Sequence, residues 1–328
     1  MSHANISVFV PHLGCPNRCS FCDQNIITGS VKLPHTKDIE AAVMTAKSSR
    51  RYDSKSTELA FFGGSFTAID RSYMLELLTA ANRFITAKDI CGIRISTRPD
   101  CIDDEVLEIL KGYGVTAIEL GAQSMSDEVL SANNRGHKSQ DVKSASRLIK
   151  SYGFELGLQM MTGLYKSTYE TDIFTAKEII RLQPHTVRIY PTITLSGTCL
   201  ASLFKSGEYI PPTLDDTVDL CAELLDLFEL HSIRVIRTGL HTVDESRFVA
   251  GPWHPAFREL CDSKRYFKKI LKLLPENGEY TLCVNPKDVS IATGNKRENI
   301  IKLRELGYKV NVKGDGSLKP FELTFERM

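Results

Sequence analysis

Apolar positions along this chain of 328 residues fall into two alternating rhythms. Short runs at 6–10, 58–62, 93–96, 115–120, 154–161, 186–190 and 233–237 have the length and β-branched content of buried strands. Between them the apolar spacing opens to three and four residues, which predicts helices over 36–50, 103–112, 126–132, 139–152, 168–182 and 213–231. Thr36 and Asp70 are placed as N-caps. Asp70 leads a helix whose Met74, Leu77, Leu78 and Ala81 form one apolar stripe. Seven strands regularly separated by helices define a parallel sheet with right-handed crossovers. A closed barrel of this kind has eight units, so the expected fold is an incomplete, open, partial TIM-like α/β barrel.

Beyond about residue 245 the rhythm changes. Gly251-Pro252-Trp253-His254-Pro255 interrupts the chain before a basic helix at 256–274. Strands at 280–284, 309–312 and 322–325 and a helix at 296–306 then predict a small α+β appendage. Gly314-Asp315-Gly316 reads as a tight turn joining the last two strands. The expected units are therefore 1–245, the barrel, and 246–328, an appendage placed to cover a substrate at the barrel's open side.

Composition changes this picture little. Hydrophobic residues make up 42% and charged residues 25%, an ordinary globular balance. No apolar run nears the roughly 18 residues of a membrane span. The first residues lead straight into a strand, so a cytoplasmic protein without a targeting peptide is expected. With 41 basic and 40 acidic residues the net charge is +1, which argues against a protein devoted to gripping a nucleic-acid backbone.

The candidate chemistry starts just after the first strand. Cys15, Cys19 and Cys22 have the spacing CxxxCxxC on a loop whose Gly14 and Pro16 suit irregular backbone. Three thiolates can converge on one iron–sulfur cluster and leave one iron open, since such clusters usually take four cysteines. A closed zinc site with His12 as fourth ligand is the alternative. A disulfide framework is disfavoured because nine cysteines is an odd number. The other unusual residues recur at strand ends: Gly63-Gly64-Ser65, Arg98-Pro99-Asp100, Gln123-Ser124, Gln159-Met160, Tyr190 and Arg237. In parallel α/β folds that end carries the chemistry.

The cysteine spacing, with Phe21 before its last cysteine, resembles the radical S-adenosylmethionine (radical SAM) superfamily. That resemblance implies a [4Fe–4S] cluster on Cys15, Cys19 and Cys22. It also implies S-adenosylmethionine on the open iron and a low-potential reductant of flavodoxin or ferredoxin type. Gly63 and Gly64 stand where the family carries a glycine-glycine-glutamate motif, with Ser65 replacing the glutamate. Phe21, Gly63, Gly64, Ser65, Gln123 and Ser124 are accordingly expected at the cofactor, as are Arg135, Gln159, Met160 and Tyr190. Glu119 is expected either there or neutralising a buried arginine such as Arg98 or Arg188.

Thr-Arg-Pro-Asp at 97–100, Glu-Leu-Gly-Ala-Gln-Ser at 119–124 and Arg-Gly-His at 135–137 are similar to one branch of that superfamily, which contains the elongator catalytic subunit. Fewer than a hundred residues follow the barrel, so the resemblance is to short members without an acetyltransferase domain. That group implies a small-molecule substrate, a modified base of 7-deazaguanine type, and a lyase reaction on queuine. A tRNA-modifying enzyme and a non-catalytic metal-binding protein are the alternatives. Arg98, Asp100, Arg237, Trp253, His254, Phe257 and Glu259 are the expected substrate contacts, with Trp253 alternatively packing an interdomain hinge. Cys101, Cys199 and Glu259 are candidate catalytic groups. Lys264, Arg265, Lys268, Lys269 and Lys272 read as a solvated helix face or, failing that, a tRNA contact. No membrane partner is expected.

Overall fold

A computed structural model describes residues 4–10, 19–22, 33–240, 243 and 245–328. The strands and helices alternate as β1 (Ala4–Val10), α1 (Thr36–Lys47), β2 (Thr57–Gly63), α2 (Arg71–Thr86), β3 (Gly92–Thr97), α3 (Asp104–Gly112) and β4 (Val115–Gln123). Then come α4 (Asp127–Ala132), α5 (Ser139–Ser151), β5 (Glu155–Thr162), α6 (Tyr169–Leu182) and β6 (Thr186–Pro191). The barrel portion continues through β7 (Thr194–Leu195), α7 (Cys199–Lys205), α8 (Leu214–Leu230), β8 (Arg234–Thr238) and β9 (Phe248–Ala250). The remainder is α9 (Phe257–Leu273), β10 (Gly278–Val284), α10 (Val289–Thr293), α11 (Glu298–Glu305), β11 (Tyr308–Gly314) and β12 (Leu323–Arg327).

Seven strands form one sheet in the order β1-β2-β3-β4-β5-β6-β8, every neighbouring pair parallel. This is the curled half-barrel expected from the alternation. Its helices start where side chains satisfy orphan N–H groups. Asp70, Asp103, Thr168 and Thr213 each accept from a backbone N–H in the first turn of their helix. At α1 the N-cap is His35 rather than Thr36, and its N–H donates to Asp38 at 2.9 Å. Ile39, Val43, Met74, Leu77 and Leu78 bury the inner helix faces against Leu59, Phe61, Ile93 and Ile95.

The other face of the sheet carries charge. Arg94, 2% exposed, pairs with Glu58 at 2.8 Å and Glu155 at 2.7 Å, with Glu119 at 3.5 Å. Arg188 makes a bidentate pair with Glu119 at 2.6 and 2.9 Å and lies over the Phe62 ring. Burying such groups is costly unless they satisfy one another. Here they form one connected layer beneath the strand ends.

Three short elements were not legible in the periodicity. These are the β7/β9 ribbon, α7 and α10, all too brief for an apolar period to show. The expected hairpin at 314–316 is corrected. β10 is central, with β11 parallel on one side and β12 antiparallel on the other. The turn does form, with Ser317 N–H on Asp315 Oδ1 at 2.8 Å, but Asp315 N–H binds Val284 O and carries the chain across the end of β10. Helix α9 joins the two parts: Phe257 and Cys261 belong to the barrel core, while Ile270 packs with Leu274, Tyr280 and Leu282 in the smaller one.

Candidate active site

The described part of the cysteine loop is pinned from both sides. Ser20 N–H donates to Asn133 O at 3.0 Å, and Ser20 Oγ donates to Asn133 Oδ1 at 2.6 Å. Ser20 O accepts from Leu200 N–H at 2.8 Å, at the start of α7. Asn133 spends its amide hydrogens on Val129 O and Tyr165 O. Sequence reasoning missed Ser20, Asn133 and α7 as loop anchors. The cysteine pattern marked the ligands and carried no signal for residues far along the chain that hold the loop.

Cys19 is 6% exposed, and Arg135 Nη1 donates to its sulfur at 3.5 Å. Cys22 closes a turn onto it through N–H to Cys19 O at 3.1 Å. Cys15 lies outside the described residues, as do His12 and His241. Phe21 packs with Val129, Met161, Leu164 and Tyr190, which seats the loop against the ends of β5 and β6.

At the end of β2, Gly63 has φ +120°, and a Cβ there would stand 2.5 Å from Val10 O. Gly64 N–H donates to the same carbonyl at 3.1 Å. The glycine thus allows β2 to close on the end of β1, where the cysteine loop departs. Ser65 is buried beside it. At the end of β4 the register shifts between Gly121 and Gln123, and Gln123 takes φ +64°. A bulge of this kind re-aims a side chain. Gln123 Oε1 accepts from Gln159 Nε2 at 2.9 Å, while Gly121 O accepts from Arg135 Nη2 at 2.8 Å. Cys19, Arg135, Gly121, Gln123 and Gln159 are therefore linked at one mouth of the sheet.

Other expected site residues are corrected by their contacts. Glu119 is committed to Arg188, with Arg94 close by, which favours the neutralising role. Met160 is 0% exposed in the core beneath the helices, and its neighbour Met161 turns to Phe21 and Tyr190 instead. Ser124 is buried, with its hydroxyl between Thr175 Oγ1 and Ser126 N–H. Arg98 is 1% exposed and bidentate to Asp100, a pair that fixes the turn after β3. Arg237 folds back onto Gly239 O and Leu240 O. Phe257 is buried in the barrel core.

Trp253 packs against Phe248, and its indole nitrogen is buried with no partner among the described residues. His254 Nδ1 accepts from Ala256 N–H, and Glu259 is exposed on the first turn of α9. Cys199 is exposed at the start of α7, and Cys101 is half-buried after β3. Tyr190 is half-buried with its hydroxyl 3.4 Å from Arg188 Nη1. The basic helix is also corrected. Lys264 and Lys268 pair with Asp219, and Arg265 pairs with Asp226 and Glu229, all on α8. Lys269 donates to Phe321 O. Most of this run is an ion-paired seam between helices.

The donor set fits an iron–sulfur cluster with an open iron. Among the described residues no group of three His, Cys, Asp or Glu side chains converges. The buried Arg135 Nε, which has no partner among the described residues, adds a free donor beside the sulfur. Cys19, Cys22 and, by its spacing, Cys15 would hold the cluster. Gln123, Gln159 and Arg135 would meet the polar groups of S-adenosylmethionine. When bound, these groups supply one-electron cleavage of the sulfonium bond and a hydrogen-abstracting 5′-deoxyadenosyl radical.

Comparison with known proteins agrees with this geometry. Residues 9–179 match the Radical SAM superfamily, and residues 184–269 match the Radical_SAM C-terminal domain. The chain belongs to the radical SAM superfamily, whose members use a [4Fe–4S] cluster and S-adenosylmethionine. Within it, the chain is 27% identical over 243 residues to a tRNA uridine(34) acetyltransferase of Dehalococcoides mccartyi, covering 63% of this chain and 52% of that protein. It is 31% identical over 191 residues to Elongator complex protein 3 of Schizosaccharomyces pombe, covering 52% and 35%. The chain thus spans about half of the first relative's length and a third of the second's. The archaeal Methanocaldococcus infernus Elp3 superimposes with a TM-score of 0.68 at 22% identity, covering 82% of this chain and 64% of that one. That likeness is one of fold. No helix among the described residues is long and apolar enough to cross a membrane.

Proposed function

We propose that this radical SAM enzyme abstracts a hydrogen atom from a nucleobase of tRNA-modification chemistry, with tRNA itself as the first substrate to test. The observation that carries this reading is the similarity to tRNA uridine(34) acetyltransferases and Elongator complex protein 3. The chain's own residues hold the cysteine loop, aim Gln123 and Gln159 at the mouth, and keep charge buried beneath it. Exclusion of water and stray hydrogen donors is the protein's share of such chemistry.

One observation favours a second reading, a free 7-deazaguanine base cleaved in a lyase reaction. The basic helix that would grip an RNA backbone has Lys264, Arg265 and Lys268 neutralised by α8. Trp253, half-buried beside Phe248, offers a flat base a stacking face.

Anaerobic assays of 5′-deoxyadenosine formation, with dithionite and either tRNA transcript or free queuine, separate the two. Stimulation by tRNA alone supports the first reading, and stimulation by queuine with release of the aminomethyl-deazaguanine base supports the second. Cluster-loaded enzyme unmoved by both would overturn both.

A further inference from the structure

Arg135 is 8% exposed, and among the described residues no carboxylate lies within ion-pairing distance of it. That is unusual. A guanidinium stays charged under all ordinary conditions, and buried charges are normally paired. Every other strongly buried arginine described here obeys the rule: Arg94, Arg98, Arg188 and Arg265 all face carboxylates. Arg135 instead gives Nη2 to Gly121 O at 2.8 Å and Nη1 to Cys19 Sγ at 3.5 Å, and Nε has no partner among the described residues. Among the described residues, the group that can carry a counter-charge at its side is the sulfur it touches, once Cys19 is a thiolate on iron.

The orientation is built in. Gly121 leaves room for the guanidinium, since a Cβ there would stand 2.9 Å from Arg135 Nη2. His137, two residues on, is 4% exposed, and burial followed by the charge of Arg135 holds it down at about 4, so it is neutral at working pH. It brings no second cation.

We propose that Arg135 sets the reduction potential of the cluster by fixing a permanent positive charge and an N–H donor on the Cys19 sulfur. One-electron reduction adds a negative charge to the cluster. A cation and a hydrogen bond at a ligating sulfur stabilise that reduced state and raise the potential. Arg135 is in this sense a positioning residue for charge, beyond any contact it makes with S-adenosylmethionine. The proposal rests on the cluster reading and is independent of which base is the substrate.

The test is an EPR-monitored redox titration of anaerobically reconstituted wild type, Arg135→Lys, Arg135→Gln and Asn133→Ala, each signal normalised to that protein's own iron and sulfide content. Arg135→Gln is expected to titrate at a more negative potential than wild type. Arg135→Lys should fall between them, because it keeps the charge and loses the aligned donor. Asn133→Ala should load less cluster at an unchanged potential. If Arg135→Gln titrates with wild type, or Asn133→Ala shifts as far as Arg135→Gln, the proposal is overturned. Should Arg135→Gln fail to load, the lysine variant decides, and a wild-type potential there overturns it as well. Failure of wild type to hold iron and sulfide would instead sink the cluster reading itself.

Discussion

Ser20 and Asn133, 113 residues apart, hold each other through two hydrogen bonds, one from backbone N–H to carbonyl and one from hydroxyl to side-chain carbonyl. Ser20 lies between Cys19 and Cys22, so whatever fixes it fixes the loop that carries them. Asn133→Ala removes the hydroxyl's partner and the donors to Val129 and Tyr165. Each unsatisfied buried group costs about 1–3 kcal/mol. The expected outcome is a lower iron content and faster loss of iron to a chelator, both read by metal analysis against time.

Gly63→Ala places a Cβ 2.5 Å from Val10 O at φ +120°. The backbone has no side-chain rotamer to escape into, so strands β1 and β2 must part at their ends. A loss of about 1–3 kcal/mol in denaturant unfolding is expected for such strain, together with weaker S-adenosylmethionine binding by calorimetry. Gly112→Ala is the control, since nothing lies within 4 Å of a Cβ there. It should leave binding unchanged.

Glu119→Ala strands Arg188 and crowds Arg94 with one carboxylate fewer. Breaking a buried pair by removing one partner costs about 3–5 kcal/mol. Urea unfolding should show that loss. Glu119→Gln, which keeps an acceptor, should show less.

Two buried groups give stability opposite slopes with pH. His137 is held down at about 4 by burial, then by Arg135, against the opposing pull of Asp100. The unfolded chain takes this proton near 6.5. Acidification from 6.5 toward 4 therefore favours the unfolded state, by roughly 3 kcal/mol over the whole window. Asp172 is pushed up to about 7 by burial, opposed by the bond it accepts from Gly163 N–H. The unfolded chain releases that proton near 3.8, so raising the pH from 3.8 to 7 lowers stability. His137→Gln should flatten the acid-side loss, and Asp172→Asn the opposing one, in unfolding curves taken between pH 4 and 7.5. Unchanged slopes in both variants would refute the assignments.

The half-barrel was legible because its signals are local: apolar runs, helical stripes such as Met74 to Ala81, and caps such as Asp70. Parts of the site were not, for reasons of register and distance. The bulge between Gly121 and Gln123 decides where the end of β4 aims its side chains, and no periodicity announces it. Pleating decides that Met161, not Met160, meets Phe21. Lys264 and Lys268 look like a free basic face until Asp219 on the neighbouring helix is set beside them. Asn133 stands two residues ahead of the Arg-Gly-His run at 135–137 and carries no local signal of its role, since its partner Ser20 lies at the other end of the unit.

Helix α9 contributes its first turns to one core and its last to the other. Its middle is tied to α8 through Arg265, which also stacks on Phe321 at 4.4 Å. A chain cut ahead of this helix would leave the barrel missing Phe257 and Cys261, and a cut behind it would strip the three-stranded sheet of Ile270. Neither piece is a ready-made module, so this protein should melt as one unit, and a protease should find no seam between sheet and barrel.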